Sequence, residues 1–238
     1  MAKPGEFSYY EQIGAENREH GLNKPYSEAR RGELLMELGA IFLLLPPPPC
    51  RVLECGCGPG WLTYFLAKSG YDVVGQDVNA QAIELASMRG PFRTLPRKPH
   101  FVICDYERLP FESEFDAVVF FDSLHHATDI DRAMAGAFRA LKAGGRLIAS
   151  EPGVGHAAAS REVVQKYDVT DKDTPPSLTL RVGRKAGFSK GQIYPHAALL
   201  GRSLYRKRTG PFGWIESRAR AVWHTALARR NGIIVLVK

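Results

Sequence analysis

The 238-residue sequence lacks an apolar run long enough to cross a membrane as a helix. Its longest, Leu34 to Leu45, is interrupted by Glu37 and stopped by Pro46 to Pro49. That falls well short of the ~20 residues a span requires. The run reads instead as a helix lying on a sheet, with the prolines as a stiff connector. The first twenty residues are polar and mixed in charge, unlike a secretory signal. Cysteine is scarce: Cys50, Cys55, Cys57 and Cys104 all fall on or beside predicted strands. Cys55 and Cys57 flank Gly56, but no further ligands follow at the spacing zinc uses, so no metal is expected. They fit small buried residues of a reduced, cytoplasmic protein. No internal repeat is apparent.

Acid is what the C-terminal part lacks. Arg181 to Lys238 holds thirteen Lys or Arg and one carboxylate, Glu216, a local net of +12. The whole chain is +7, so residues 1–180 carry −5. Such asymmetry predicts an anionic partner for the C-terminal part. Elsewhere the balance is ordinary: 45% apolar residues suffice for the core of one domain, and 24% charged residues argue against disorder.

The densest information lies in Arg51 to Gly60, R-V-L-E-C-G-C-G-P-G. Val52 and Leu53 close a buried strand, Glu54 sits at its carboxyl end, and Gly56, Gly58 and Gly60 form a turn before a helix beginning near Trp61. Glycine lets the backbone approach a ligand where a Cβ would collide. A turn at the carboxyl end of a parallel strand is the usual ligand crevice of an open α/β sheet. A dinucleotide fingerprint needs a third glycine three residues after the second, and Trp61 stands there. A carboxylate beside the turn also repels pyrophosphate and suits a cationic ligand bearing an amino group and a sulfonium.

Four further blocks follow in order. Tyr71 to Gln76 is a strand ending at Asp77, and Phe101 to Cys104 one ending at Asp105. Phe115 to His126 (F-D-A-V-V-F-F-D-S-L-H-H) is a fourth strand running into a loop. Leu141 to Gly153 is a helix end, a turn and a fifth strand. Together these blocks, spanning roughly residues 50 to 153, resemble the class I S-adenosylmethionine-dependent methyltransferases of the methyltransferase type 11 group. The resemblance implies a Rossmann-like α/β fold: a seven-stranded, mostly parallel sheet flanked by helices, closed by an antiparallel hairpin. Residues 1–49 would form an N-terminal helical lid, 50–153 the cofactor-binding core, and 154–238 the C-terminal part of the same domain. That last part carries a helical insertion over 201–230, before the final strand Asn231 to Lys238.

The resemblance also implies site roles for S-adenosylmethionine and its product S-adenosylhomocysteine. Glu54 would hold the methionine amino group. Gly56, Cys57, Gly58 and Gly60 would admit the methionine chain. Asp77 with Val78 would meet the ribose, and Asp105 with Tyr106 the adenine. Asp105 could instead cap the loop that follows it. Phe121 and Asp122 end the fourth strand beside the sulfonium, and Tyr26, with Tyr9 and Tyr10, lies in a segment that lids the cofactor. An oxygen acceptor must lose a proton. His126 leads as its acceptor, followed by His156, with His125 and Glu151 also placed to take part.

Past the core, Ala158 to Tyr167 reads as helical, with Ser160 placed to cap it. In the insertion, Ile215, Ala219, Val222, Trp223, Ala226 and Leu227 follow one helical face. Arg218, Arg220, Arg229 and Arg230 lie beside or opposite it, and Arg206 to Arg208 precede it. Such a helix either packs on the sheet with a solvated basic side or binds phosphates or an anionic membrane surface. Glu151 to His156 and Tyr167 to Pro176 resemble methyltransferases of bacterial cell-surface glycan synthesis. The expected reaction is therefore O-methylation of an anionic small molecule or a glycan hydroxyl. An RNA methyltransferase and a non-catalytic cofactor-binding protein are the alternatives. No RNA-binding module or Asn-Pro-Pro-Tyr signature is present, which weakens the first of these.

Overall fold

The computed structural model describes residues 2–205 and 213–238. Three helices, α1 (Pro4–Gln12), α2 (Gly14–Leu22) and α3 (Arg31–Leu44), precede β1 (Arg51–Cys55). Then come α4 (Trp61–Lys68), β2 (Asp72–Asp77), α5 (Ala80–Ser87), β3 (His100–Ile103) and β4 (Phe115–Phe121). They are followed by α6 (Ile130–Ala140), β5 (Leu141–Ser150), α7 (His156–Ala159), α8 (Arg161–Tyr167) and α9 (Pro176–Ala186). The chain closes with β6 (Lys190–Pro195), α10 (Ala197–Tyr205), α11 (Gly213–Ala226) and β7 (Gly232–Val237). One seven-stranded sheet results, in the order β3-β2-β1-β4-β5-β7-β6. β7 runs antiparallel to both β5 and β6, and the other pairings are parallel.

The central strands are apolar on both faces, as a sheet covered on both sides requires. Alternation along β1 sends Val52 to one side and Leu53 and Cys55 to the other. Val52, Val73, Val119 and Ile148 pack under α3 and α4, through Leu38, Ile41, Leu62 and Leu66. Leu53, Val118, Phe120 and Leu147 pack under α6, through Met134 and Ala137. The apolar run before the prolines is thus the helix on the sheet that its composition predicts.

Several local expectations shift. The turn before the fifth strand lies within β5: Leu141 pairs with Phe115, and the register slips before Arg146 pairs with Ala117. Ser160 does not cap a helix, since its hydroxyl donates to the His156 carbonyl and it separates α7 from α8. Among the described residues, the insertion between β6 and β7 is helical, as expected. However, α11 packs on α10 and β6 and buries none of its own residues. Its apolar face does not lie on the sheet: Ile215, Val222 and Trp223 are exposed. The basic run Arg206, Lys207 and Arg208 lies outside the described residues.

Candidate functional site

Gly56 and Gly58 adopt left-handed backbone angles, with φ of +71° and +52°. The N–H groups of Gly56 and Cys57 both donate to the Gln76 carbonyl, at 2.8 and 2.9 Å. That bond pair stitches the turn to the end of β2. A Cβ on Gly56 would lie 2.5 Å from that of Ser123, so glycine here permits the close approach of the loop after β4. Ser123 Oγ donates to the Cys55 carbonyl at 2.7 Å, fastening that loop in place. Asp77 is fixed at both oxygens, accepting from Gly58 N at 2.8 Å and Asn79 N at 2.9 Å. Burial raises its carboxyl pKa, and those backbone donors oppose the rise.

Over the carboxyl ends of these strands lies a cavity of about 330 Å³. Gly56, Gly58, Asp77, Val78, Asp105 and Tyr106 line its floor, and Tyr9, Tyr10 and Glu6 of α1 line its roof. Tyr10 stands directly over Gly58, where an added Cβ would come 2.9 Å from its hydroxyl. The Asp105 carboxylate accepts from Glu107 N at 2.9 Å and Ala2 N at 3.2 Å. It therefore caps the following turn and faces the cavity at once. Tyr106 Oη donates to the Ser123 carbonyl at 3.0 Å.

Histidines close the cavity at its other end. Glu151, buried at the end of β5, accepts from the backbone N–H groups of Ser123, Leu124 and His125 at 3.1, 2.9 and 3.2 Å. It also accepts from His125 Nδ1 at 2.7 Å. That bond puts the His125 proton on Nδ1 and leaves Nε2 bare in the neutral ring. Burial disfavours a charged His125, but the Glu151 carboxylate outweighs it and the pKa is raised. His126 differs: its Nδ1 donates to the Thr170 carbonyl at 2.6 Å. Burial and the neighbouring His125 push its pKa down to about 4. His156 Nε2 lies 2.7 Å from Asp171 Oδ1, and His125 Nε2 lies 3.9 Å from the same oxygen. These three side chains are metal-ligating types with donor atoms within 4.8 Å. Tetrahedral zinc bonds of ~2.0–2.1 Å would hold two donors more than ~3 Å apart. His156 Nε2 and Asp171 Oδ1 stand closer than that, and both are buried without a hydrogen bond.

Residues 53–149 match the family described as Methyltransferase domain. The chain carries a class I S-adenosylmethionine-dependent methyltransferase domain. It is 39% identical over 104 residues to the S-adenosyl-L-methionine-dependent Diels-Alderase iccD of Talaromyces variabilis, covering 42% of this chain and 35% of that protein. It is 41% identical over 87 residues to the magnesium-protoporphyrin O-methyltransferase of Rhodobacter capsulatus, covering 36% and 38% respectively. The matches thus leave most of each relative's length uncovered. The fold resembles a methyltransferase from Thermotoga maritima, described as a possible histamine N-methyltransferase, with a TM-score of 0.60 at 19% identity over 98% of this chain and 99% of that one. Phosphoethanolamine N-methyltransferase 2 of Haemonchus contortus, in complex with S-adenosyl-L-methionine, gives a TM-score of 0.60 at 20% identity over 91% and 59%.

S-adenosylmethionine is the cofactor of this methyltransferase domain, and the first cavity fits it. The floor offers open backbone at Gly56 and Gly58, a carboxylate at the end of β2 and an apolar wall at Val78 and Tyr106. The other expected cofactor residues lie off that wall. Glu54 is buried behind the turn, where its carboxylate accepts from Thr63 Oγ1 at 2.5 Å and burial pushes its pKa up to about 8. Cys57 is buried, Gly60 starts α4, and Phe121 packs edge-on to Trp61 at 5.2 Å. Tyr26 is 65% exposed and does not line the cavity. Its segment turns outward after α2, and α1 supplies the roof instead.

Asp122 faces a second cavity, of about 340 Å³, which His125 and His156 also line. The two cavities therefore share a wall of histidines. Glu37 lies on the far side with its pKa pushed up to about 8 by burial, and burial takes His196 down to about 4. Both are therefore neutral near pH 7. Arg202, also on this wall, is paired with Glu33 at 2.5 Å. Four contributors were not anticipated: Glu6, Asn79, Thr170 and Asp171. Only Asn79 carried a local signal, as an Asn placed to cap α5, where it accepts from Ala82 N.

Proposed function

We propose that the protein methylates a hydroxyl oxygen of a polar small molecule, a sugar or glycan hydroxyl included. In this reading His125 takes the proton. The observation that carries it is the buried His125–Glu151 pair, at 2.7 Å, on the wall between the two cavities. S-adenosylmethionine, when bound, supplies a methyl group on a sulfonium and leaves as S-adenosylhomocysteine.

The chain's own residues supply alignment and a place for the proton. Asp77, Asp105 and the open backbone of Gly56 and Gly58 would hold the cofactor in the first cavity. The second cavity would hold the acceptor between the neutral Glu37 and His196 and the charged Arg30, Glu33 and Arg202. Glu151 orients the His125 ring through Nδ1, so that Nε2 faces the shared wall as the basic atom. A base held by a third group in this way is the usual arrangement for taking a proton. His126, with its pKa near 4, is neutral at pH 7 but a weaker base, and its Nδ1 is committed to Thr170. The reading therefore favours His125 over His126 and His156. Two relatives named as O-methyltransferases, of magnesium-protoporphyrin and of ubiquinone biosynthesis, support oxygen as the acceptor atom.

The test is methyl transfer from isotope-labelled S-adenosylmethionine to a panel of sugars, glycosides and other hydroxylated acceptors, with products read by mass spectrometry. His125→Ala should lower turnover by ~10²-fold or more, with S-adenosylhomocysteine affinity nearly unchanged. Activity should fall as pH drops through the raised His125 pKa, because only the neutral ring accepts a proton. Full activity of His125→Ala would remove this residue from the mechanism. Methylated RNA instead of a small molecule would favour the nucleic-acid alternative. Cofactor binding with no transfer to any class would favour a non-methylating role.

A further inference from the structure

The less exposed positions of α11, namely Gly213, Ser217, Ala221 and His224, follow one side of the helix, where it meets α10 and β6. At 100° per residue, Ile215, Ala219, Val222 and Ala226 fall on the opposite side. The apolar stripe thus points directly away from the protein. Ile215 is 46% exposed and Val222 69%, and Trp214 and Trp223 flank the stripe at 61% and 62%. Small residues make the inner contact and large apolar ones face outward, the reverse of a core-facing surface helix.

We propose that α11 is an interfacial helix that seats the protein on an anionic lipid surface. Charge selects this occupant. Gly213 to Arg230 holds four arginines against one carboxylate, Glu216. The guanidinium of Arg218 stacks over Trp214 at 5.3 Å, and Arg229 and Arg230 are exposed just past the helix. Tryptophan at the edges of an apolar stripe suits the boundary between headgroups and acyl chains. Arginine beside it suits anionic headgroups. A second copy of this chain would set these arginines against their own kind. RNA would use the arginines and leave the stripe in water. The helix has 14 residues, and no helix among the described residues is long and apolar enough to cross a membrane. It would lie in the plane of the surface. No part of this inference depends on methyl transfer.

The experiment is flotation of the full chain with vesicles of phosphatidylcholine, with and without phosphatidylglycerol. The wild type should bind the anionic vesicles at low salt, at least ~10-fold better than neutral ones, and release as salt rises. Tryptophan fluorescence should shift to the blue on binding, through Trp214 and Trp223, since Trp61 is already buried. Val222→Glu with Trp223→Ser should lose binding at least ~10-fold while keeping the wild-type melting temperature and S-adenosylhomocysteine affinity. Should that pair unfold, Ile215→Gln gives the same test at an exposed position. The proposal is overturned if the wild type ignores anionic vesicles, or if a folded stripe variant binds them equally well. It is also overturned if light scattering finds a dimer that the stripe variants convert to monomer.

Discussion

Around the carboxyl ends of β1, β2 and β4, side chains hold the backbone in place. Asp77 accepts from two N–H groups, Glu151 from three, and Ser123 ties the loop after β4 to the end of β1. Around α11, beyond the β6–β7 edge, the helix has no buried residue and presents its apolar stripe outward. The first region is built for alignment, because a displacement reaction loses rate steeply when its partners are misplaced by an ångström. The second, if it meets the lipid surface proposed above, would make contact with something soft and extended, where exact geometry matters little. One chain thus carries a rigid floor at the middle of the sheet and an outward-facing helix at its β6 edge.

The largest expected effect breaks the rigid half. Gly56→Ala would push a Cβ to 2.5 Å from Ser123 Cβ at a φ of +71°. It should cost roughly 2–4 kcal/mol of stability, from overpacking and left-handed strain together. Gly144 has a similar φ of +73° with nothing within 4 Å. Gly144→Ala should therefore cost only ~1–2 kcal/mol, from strain alone. Denaturant titration of the two variants separates close packing from backbone conformation, and equal losses would count against the Ser123 contact.

Next in size is Asp77→Ala, which removes a buried acceptor from the first cavity. Calorimetry with S-adenosylhomocysteine should show affinity falling at least several-fold, for ~1–3 kcal/mol of polar groups left unpaired. Unchanged affinity would mean the ligand does not meet the end of β2.

A third test uses pH. The folded pKa of Glu54 is about 8, above its ordinary value of 4.5, so the protonated form is the one the fold favours. Its contribution to stability is complete below pH 4.5 and is lost as pH rises through about 8. Glu54→Gln keeps the shape without the titration. The variant should gain stability relative to wild type between pH 5 and 9, read from melting temperatures in that window. A constant difference would mean Glu54 is already ionised in the folded protein.

The smallest effect sharpens the other half. Ile215→Ala should change stability by less than ~0.5 kcal/mol, whereas Ile233→Ala, at a fully buried position on β7, should cost ~2–5 kcal/mol. A large loss at Ile215 would show that the stripe is covered in the free protein.

The sequence made the cofactor half legible because its signals are local. A glycine turn directly follows β1, and acidic residues close β2 and follow β3 within single βαβ units. The choice among the histidines was not local. Glu151 comes from another strand, and its preference for His125 depends on how the chain turns at Asp122, a non-glycine residue at φ +47°. Asp171, Thr170 and Glu6 reach the histidines from segments far apart in sequence, with no spacing to reveal them. Periodicity identified an apolar face on α11 but not its direction. Gly213 and Ser217 do not register as apolar on that wheel, and with the small Ala221 they decide which side docks.

The roof over the first cavity has a kinetic consequence. α1 buries one residue, Gly5, whose Cα sits so close to the Tyr167 and Asp168 carbonyls that an added Cβ would overlap them. Otherwise it is held by the edge-on contact of Tyr9 with Tyr167 at 5.3 Å, by Tyr10 over Gly58, and by polar links: Glu6 to Thr170 N at 2.7 Å, Asn79 to the Glu6 carbonyl at 3.0 Å, and Lys3 to the Val169 carbonyl at 3.0 Å. A segment with so little buried apolar surface opens at free energies far below that of global unfolding. A nucleoside product seated beneath Tyr10 would leave no faster than this helix lifts, so product release would report on the roof and not only on the bond that breaks.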